Sequence, residues 1–217
     1  MGTIAADHRD VIDRLPDGST LILHGIDWDD YERLLQGLVD RPHLRLSYDC
    51  GRLEIMTPLP EHEEYARFID LLVYVWSDTH DLKVQSYGGA TWKRRRLRKA
   101  VEPDACYYVT NADRVIGKRK FDLEVDPPPD IVVEIDITNE TLGKFPLYAA
   151  LGVPEIWRYD DEKFYFYELA GKGYREISAS RAFSGLTPAM LAEALEQSKT
   201  EGQTAALAAF RRRWQRT

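Results

Sequence analysis

Asp130-Ile131-Val132-Val133-Glu134-Ile135-Asp136-Ile137 follows three prolines, Pro127 to Pro129, and the rest of the chain reads outward from it. The stretch is short, apolar and β-branched, which predicts a strand. Successive strand side chains point to opposite faces. One face therefore takes Ile131, Val133, Ile135 and Ile137, a surface suited to a core. The other takes Asp130, Val132, Glu134 and Asp136. Clustered carboxylates repel one another and resist burial unless something positive sits among them. Either a cation occupies a cleft here, or the strand is a solvated edge. The continuous apolar face argues against the edge and for the cation.

Upstream, Val101-Glu102-Pro103-Asp104 leads into a second strand, which starts at Asp104 and sets Asp104, Cys106 and Tyr108 on one face. Downstream, a helix is ended by Gly152 and Pro154 and contains Pro146. Proline is tolerated only in the first helical turn, where its missing N–H has no partner. Lys144 then sits at or just before the helix start, close to the end of the acidic strand. A cation there opposes the helix dipole, so Lys144 is either a plain surface lysine or a functional one. Asp130 also precedes Glu134, but four strand residues span about 13 Å, whereas a divalent ion holds its oxygen ligands at about 2.0–2.6 Å. Asp104, from a neighbouring strand, is the better partner. Asp130 caps the strand entry, and Asp136, about 7 Å along the same face, is left to a second ion or a water.

These residue types suit phosphodiester hydrolysis. A divalent ion polarises the phosphate and lowers the pKa of a water. Hard ions take oxygen ligands, and a lysine offsets charge that develops in the transition state.

Elsewhere, Asp27 or Asp29 caps a helix reaching about Val39, with Tyr31, Leu34, Leu35 and Leu38 at helical spacing, and Arg41-Pro42 ends it. Leu44–Tyr48 and Arg52–Met56 form a hairpin across Asp49-Cys50-Gly51. Pro60 opens a helix over about Glu61–Asp78. Glu61 and His62 flank its apolar stripe, and Glu63 points away. His62 is either a helix-start residue satisfied locally or an accessory acid, base or orienting group. Val84–Tyr87 and Thr91–Lys93 read as strands around a turn at Gly88-Gly89. The run from Lys93 to Lys99 carries six positive charges in seven residues. It is a solvated face, or its Lys93, Arg94, Arg95 and Arg96 contact a phosphate backbone. Glu155–Tyr159 and Lys163–Leu169 form a hairpin, 173–178 adds a strand, and helices follow over about Thr187–Gln197 and Ala205–Trp214.

A chain of 217 residues suits one α/β or α+β domain, with a core over about 20–195 and a helical tail over 196–217. The net charge of −7 excludes a generally basic nucleic-acid binder but leaves local patches open. Cys50 and Cys106 lack zinc-like spacing, Met1 to Val11 is no signal peptide, and Leu71 to Trp76 is too short to span a membrane. These features predict a soluble, cytoplasmic protein.

Four segments carry a resemblance. They are Gly51-Arg52-Leu53-Glu54-Ile55-Met56-Thr57-Pro58 with Glu61-His62-Glu63, Val101 to Asp104, Asp126 to Asp136, and Lys144 to Asp160 with its Gly152-Val153-Pro154-Glu155-Ile156-Trp157. Through them the chain resembles the Uma-two family of restriction endonucleases, within the PD-(D/E)XK nuclease superfamily. The resemblance implies a restriction-endonuclease-like fold, a central mixed β-sheet flanked by helices. It implies Mg²⁺-dependent (or Mn²⁺-dependent) cleavage of DNA. Asp104 and Glu134 would be the metal ligands, the Ile135 carbonyl an auxiliary one and Lys144 the catalytic lysine. The superfamily lysine usually lies two residues after the acid, where this chain has Asp136; in this family it is displaced onto the following helix, as Lys144 is. The alternatives are a catalytically inactive module that binds nucleic acid or regulates, and a hydrolase of other phosphate esters. Cutting both strands calls for two active sites, so a homodimer is expected.

Overall fold

The structure, a computed structural model, describes residues 11–38, 44–137 and 141–214. In chain order its elements are β1 (Thr20–Leu23), α1 (Trp28–Gly37), β2 (Arg45–Asp49), β3 (Arg52–Met56), α2 (Pro60–Thr79), β4 (Gln85–Ser86), β5 (Trp92–Arg94), β6 (Lys99–Val101), β7 (Ala105–Tyr108), α3 (Ala112–Val115), β8 (Ile131–Ile135), α4 (Phe145–Leu151), β9 (Glu155–Tyr159), β10 (Phe164–Ala170), β11 (Gly173–Ile177), α5 (Pro188–Glu201) and α6 (Gln203–Trp214). Val39 and Arg41-Pro42, expected to end the first helix, lie outside the described residues.

The central sheet has six strands in the order β11-β10-β9-β8-β7-β4. It is mixed: β8 and β9 run parallel, and the other pairings are antiparallel. A parallel pair needs a crossover, and α4 supplies it. Every residue of β8 is buried, which makes it a central strand and disposes of the solvated-edge alternative. Ile131, Val133 and Ile135 pack against Phe68, Ile69 and Leu72 of α2 and against α5 and α6. Val132 faces the other way, with Leu147, Tyr148 and Leu151 of α4. The strand's period of two thus assigns one face to three helices and the Glu134 face to α4.

A second, antiparallel sheet runs β1-β3-β2-β6-β5. Its core joins Trp28, Tyr31 and Leu34 of α1 to Leu46, Tyr48, Leu53 and Ile55. Asp27 caps α1, its Oδ1 accepting from Asp30 N–H at 2.7 Å. The β2–β3 hairpin turns at Cys50-Gly51, both with positive φ.

One expectation changes. The segments on either side of Gly88-Gly89 do not pair with each other: β4 joins the central sheet and β5 the second one. Gly89 marks a close approach, since a Cβ there would lie 3.0 Å from the Pro103 carbonyl oxygen and 3.2 Å from the Arg45 guanidinium. The basic run folds as a tight hairpin, β5 pairing with β6 so that Arg94 faces Lys99, with Arg98 left-handed at φ 50°. Among the described residues no helix is long and apolar enough to cross a membrane.

Candidate active site

β7 and β8 are antiparallel neighbours, which brings Asp104, just before β7, beside Glu134 in the middle of β8. The Asp104 N–H donates to the Val133 carbonyl at 3.1 Å, and the Ile135 N–H donates to Asp104 Oδ2 at 2.7 Å. Asp104 thus grips β8 on both sides of Glu134. Glu134 is 1% exposed. Lys144 Nζ donates to its Oε2 at 2.8 Å, and the Tyr148 hydroxyl donates to its Oε1. Lys144 is the N-cap of α4 and Pro146 lies in the first turn, as the proline argument requires. Lys144 and Tyr148 are four residues apart, so helical spacing turns both toward the same carboxylate.

Further charges ring this pair. Arg158 Nε donates to Asp136 Oδ2 at 2.5 Å, which gives Asp136 a protein partner in place of the expected ion or water. Arg45 Nε lies 3.8 Å from Asp104 Oδ1, and the same guanidinium bonds Glu63. His62, in the first turn of α2, is buried and lies in the field of Asp104, Asp136 and Lys144. Asp130 is accounted for separately, accepting from Val109 N–H, Asn111 N–H and the Asn111 amide.

Burial sets the electrostatics. It raises the Glu134 pKa to about 7; Lys144 pulls against it, and the Asp104 charge adds to it. Asp104 is raised for the same reason, against the pull of Lys144 and the Ile135 N–H. Burial opposes the charge on Lys144, but Glu134 and Asp104 outweigh it and hold the ammonium above its ordinary value. Burial lowers His62, against the pull of Asp104 and Asp136. A site with two costly carboxylates is one that a divalent cation would relieve.

The donor set fits a hard cation in type. Two carboxylates on adjacent strands are all-oxygen ligands. Among the described residues no three His, Cys, Asp or Glu side chains converge as a ready-made cage. Mg²⁺ commonly takes one or two carboxylates and completes its shell with water and phosphate oxygens, which suits a two-carboxylate site.

The family model for Uma2, described as "Putative restriction endonuclease", matches residues 28–200. The chain belongs to the Uma2 family. No curated protein matches it. The Uma2 match contains Asp104, Glu134, Lys144 and His62, which the structure brings together. It also contains three residues of this site that sequence reasoning missed: Tyr148, Arg158 and Arg45. The spacing from Lys144 could have indicated Tyr148. Arg45 and Arg158 meet the site only through sheet order, which leaves no local signal.

The basic run of this Uma2 chain lies outside the cluster. Lys93 pairs with Glu32, Arg95 with Asp29 and Arg96 with Glu124, while Arg94 donates to the Leu123 carbonyl. A groove of about 660 Å³ runs between Arg45 and Lys93, lined also by Glu63, Thr91 and Glu102, and none of Asp104, Glu134, Lys144 or His62 lines it.

Proposed function

We propose that this Uma2 chain is a divalent-metal-dependent endonuclease that hydrolyses DNA phosphodiester bonds. One observation carries most weight: Asp104 and Glu134, from adjacent strands, are buried side by side with the Lys144 ammonium on Glu134. Asp104 and Glu134 would hold Mg²⁺ or Mn²⁺, with the Ile135 carbonyl as an auxiliary ligand. A bound ion supplies Lewis-acid polarisation of the phosphate and a more acidic water. Lys144 has three donors and no acceptor, so its role is to offset charge developing on the phosphate. Tyr148 fixes the second Glu134 oxygen, and Arg45 anchors Asp104.

DNA would follow the groove from Arg45 toward the β5–β6 hairpin. Exposed ion pairs such as Arg95 with Asp29 are worth little, and a phosphate backbone competes well for such cations. Cutting both strands takes two active sites, which a homodimer would provide.

A second reading, a module that binds nucleic acid without cutting it, draws on one feature: both Glu134 oxygens already accept from protein donors. Supercoiled plasmid incubated with Mg²⁺ separates the two. The wild type should nick and linearise it, Glu134→Ala should not, and Lys144→Ala should turn over more slowly with ion affinity retained. Binding of the plasmid without any cleavage would establish the second reading.

A further inference from the structure

His62 is 2% exposed, and among the described residues neither of its ring nitrogens has a hydrogen-bond partner. A buried donor or acceptor left unpaired is costly, and native proteins seldom tolerate it without a reason. The main chain of His62 is satisfied, its N–H donating to the Leu59 carbonyl at 3.0 Å. Local helix-start hydrogen bonding therefore accounts for the backbone and not for the ring. The ring lies in the electrostatic field of charges mainly from other elements: Asp104 before β7, Asp136 after β8 and Lys144 at the start of α4, with Glu61 on its own helix. These are the groups around which the reaction would take place. Among the described residues His62 does not converge with two carboxylates on one point.

The neighbouring groups are committed elsewhere. Lys144 offers donors only. Both Glu134 oxygens accept from Lys144 and Tyr148, Asp104 Oδ2 accepts from Ile135, and Asp136 Oδ2 accepts from Arg158. A neutral imidazole carries one donor and one acceptor nitrogen, and among the described residues no donor competes for the acceptor of His62. We propose that His62 holds the attacking water, accepting a hydrogen bond from it at one ring nitrogen. The proposal rests on the nuclease reading above and adds a fourth residue to its chemistry.

Two measurements on wild type, His62→Leu and His62→Asn test it. The first is thermal unfolding without metal or DNA. Removing two unpaired polar atoms from a buried position should raise the midpoint of His62→Leu by about 2–4 °C. The second is steady-state plasmid cleavage. His62→Leu should lower kcat by about 100-fold, the scale of lost reactant positioning, with KM for DNA unchanged. His62→Asn, which keeps an acceptor, should recover about tenfold of that loss. A His62→Leu protein that melts lower, with no recovery by Asn, would make His62 a packing residue and overturn the proposal. An active wild type matched by an equally active His62→Leu would overturn it while leaving the nuclease reading intact. A wild type that cleaves nothing would overturn both.

Discussion

Glu134 lies between an ammonium and a phenol, and burial raises its pKa from 4.5 to about 7. The folded value is the raised one, so proton binding favours the folded state. That contribution is complete below about pH 4.5, the ordinary value, and is lost as the pH climbs through about 7. Urea unfolding of the metal-free protein should show it: between these limits the wild type loses on the order of 3 kcal/mol to this ionisation, and Glu134→Gln loses much less. An equally steep curve in the Gln variant would assign the slope to other groups. Tyr148→Phe should cost about 1.5–3 kcal/mol above neutral pH, where its partner is charged, and less below; the same unfolding series reads it. Asp104, Glu134 and Lys144 were legible one residue at a time, through strand alternation and the placement of Pro103 and Pro146. Arg45 and Arg158 were not, because each meets its carboxylate across a sheet whose strand order no local pattern encodes.

The seven residues of α4 carry Tyr148, and Lys144 caps them. A helix this short is unstable alone in water, so its ends and its packing hold it. Pro146 fixes the start, Leu147 and Leu151 pack in the same core as Val132 and Ile156, and Gly152 ends it at φ +82°. A Cβ on Gly152 would meet nothing within 4 Å, so the strain of substitution there is purely conformational. Gly152→Ala should destabilise by about 1–2 kcal/mol in chemical denaturation and slow cleavage by loosening Lys144. Unchanged stability would mean that the helix end is held by other contacts. Both ends of α4 were readable because proline and glycine act through backbone geometry alone. The segments around Gly88-Gly89 misled because glycine serves two purposes: turning a chain, and admitting a neighbour. Here Gly89 admits the Pro103 carbonyl and Arg45, and its flanking strands part to different sheets. β1 was read only as an apolar patch, since its pairing with β3 spans some thirty residues.

At the scale of the molecule, a chain of net charge −7 concentrates cations on one hairpin. Each phosphate contact adds about 0.9 to the slope of log affinity against log salt. Replacing Arg95 and Arg96 together by Ala should lower that slope by about 2 for a short duplex, in fluorescence anisotropy with Ca²⁺ in place of Mg²⁺. An unchanged slope would return the hairpin to the role of a solvated face. The central mixed sheet and its flanking helices followed from the resemblance; of β8 itself the Ile131, Val133 and Ile135 face was legible as core, while its carboxylate face left a solvated edge open. The second sheet was only partly so: the β2–β3 hairpin has a turn signal, whereas the β1–β3 and β2–β6 pairings are long-range.

Everything proposed for the site depends on Asp104 and Glu134 acting as one cation-binding pair. Thermal unfolding across a Mn²⁺ titration addresses that without any substrate. An ion at a hundred times its Kd adds about 2.7 kcal/mol to the stability of the state that binds it. The wild type and Lys144→Ala should both gain on this scale, while Asp104→Ala and Glu134→Ala gain nothing. Equal stabilisation of the wild type and both carboxylate variants would put the ion elsewhere and contradict the assignment.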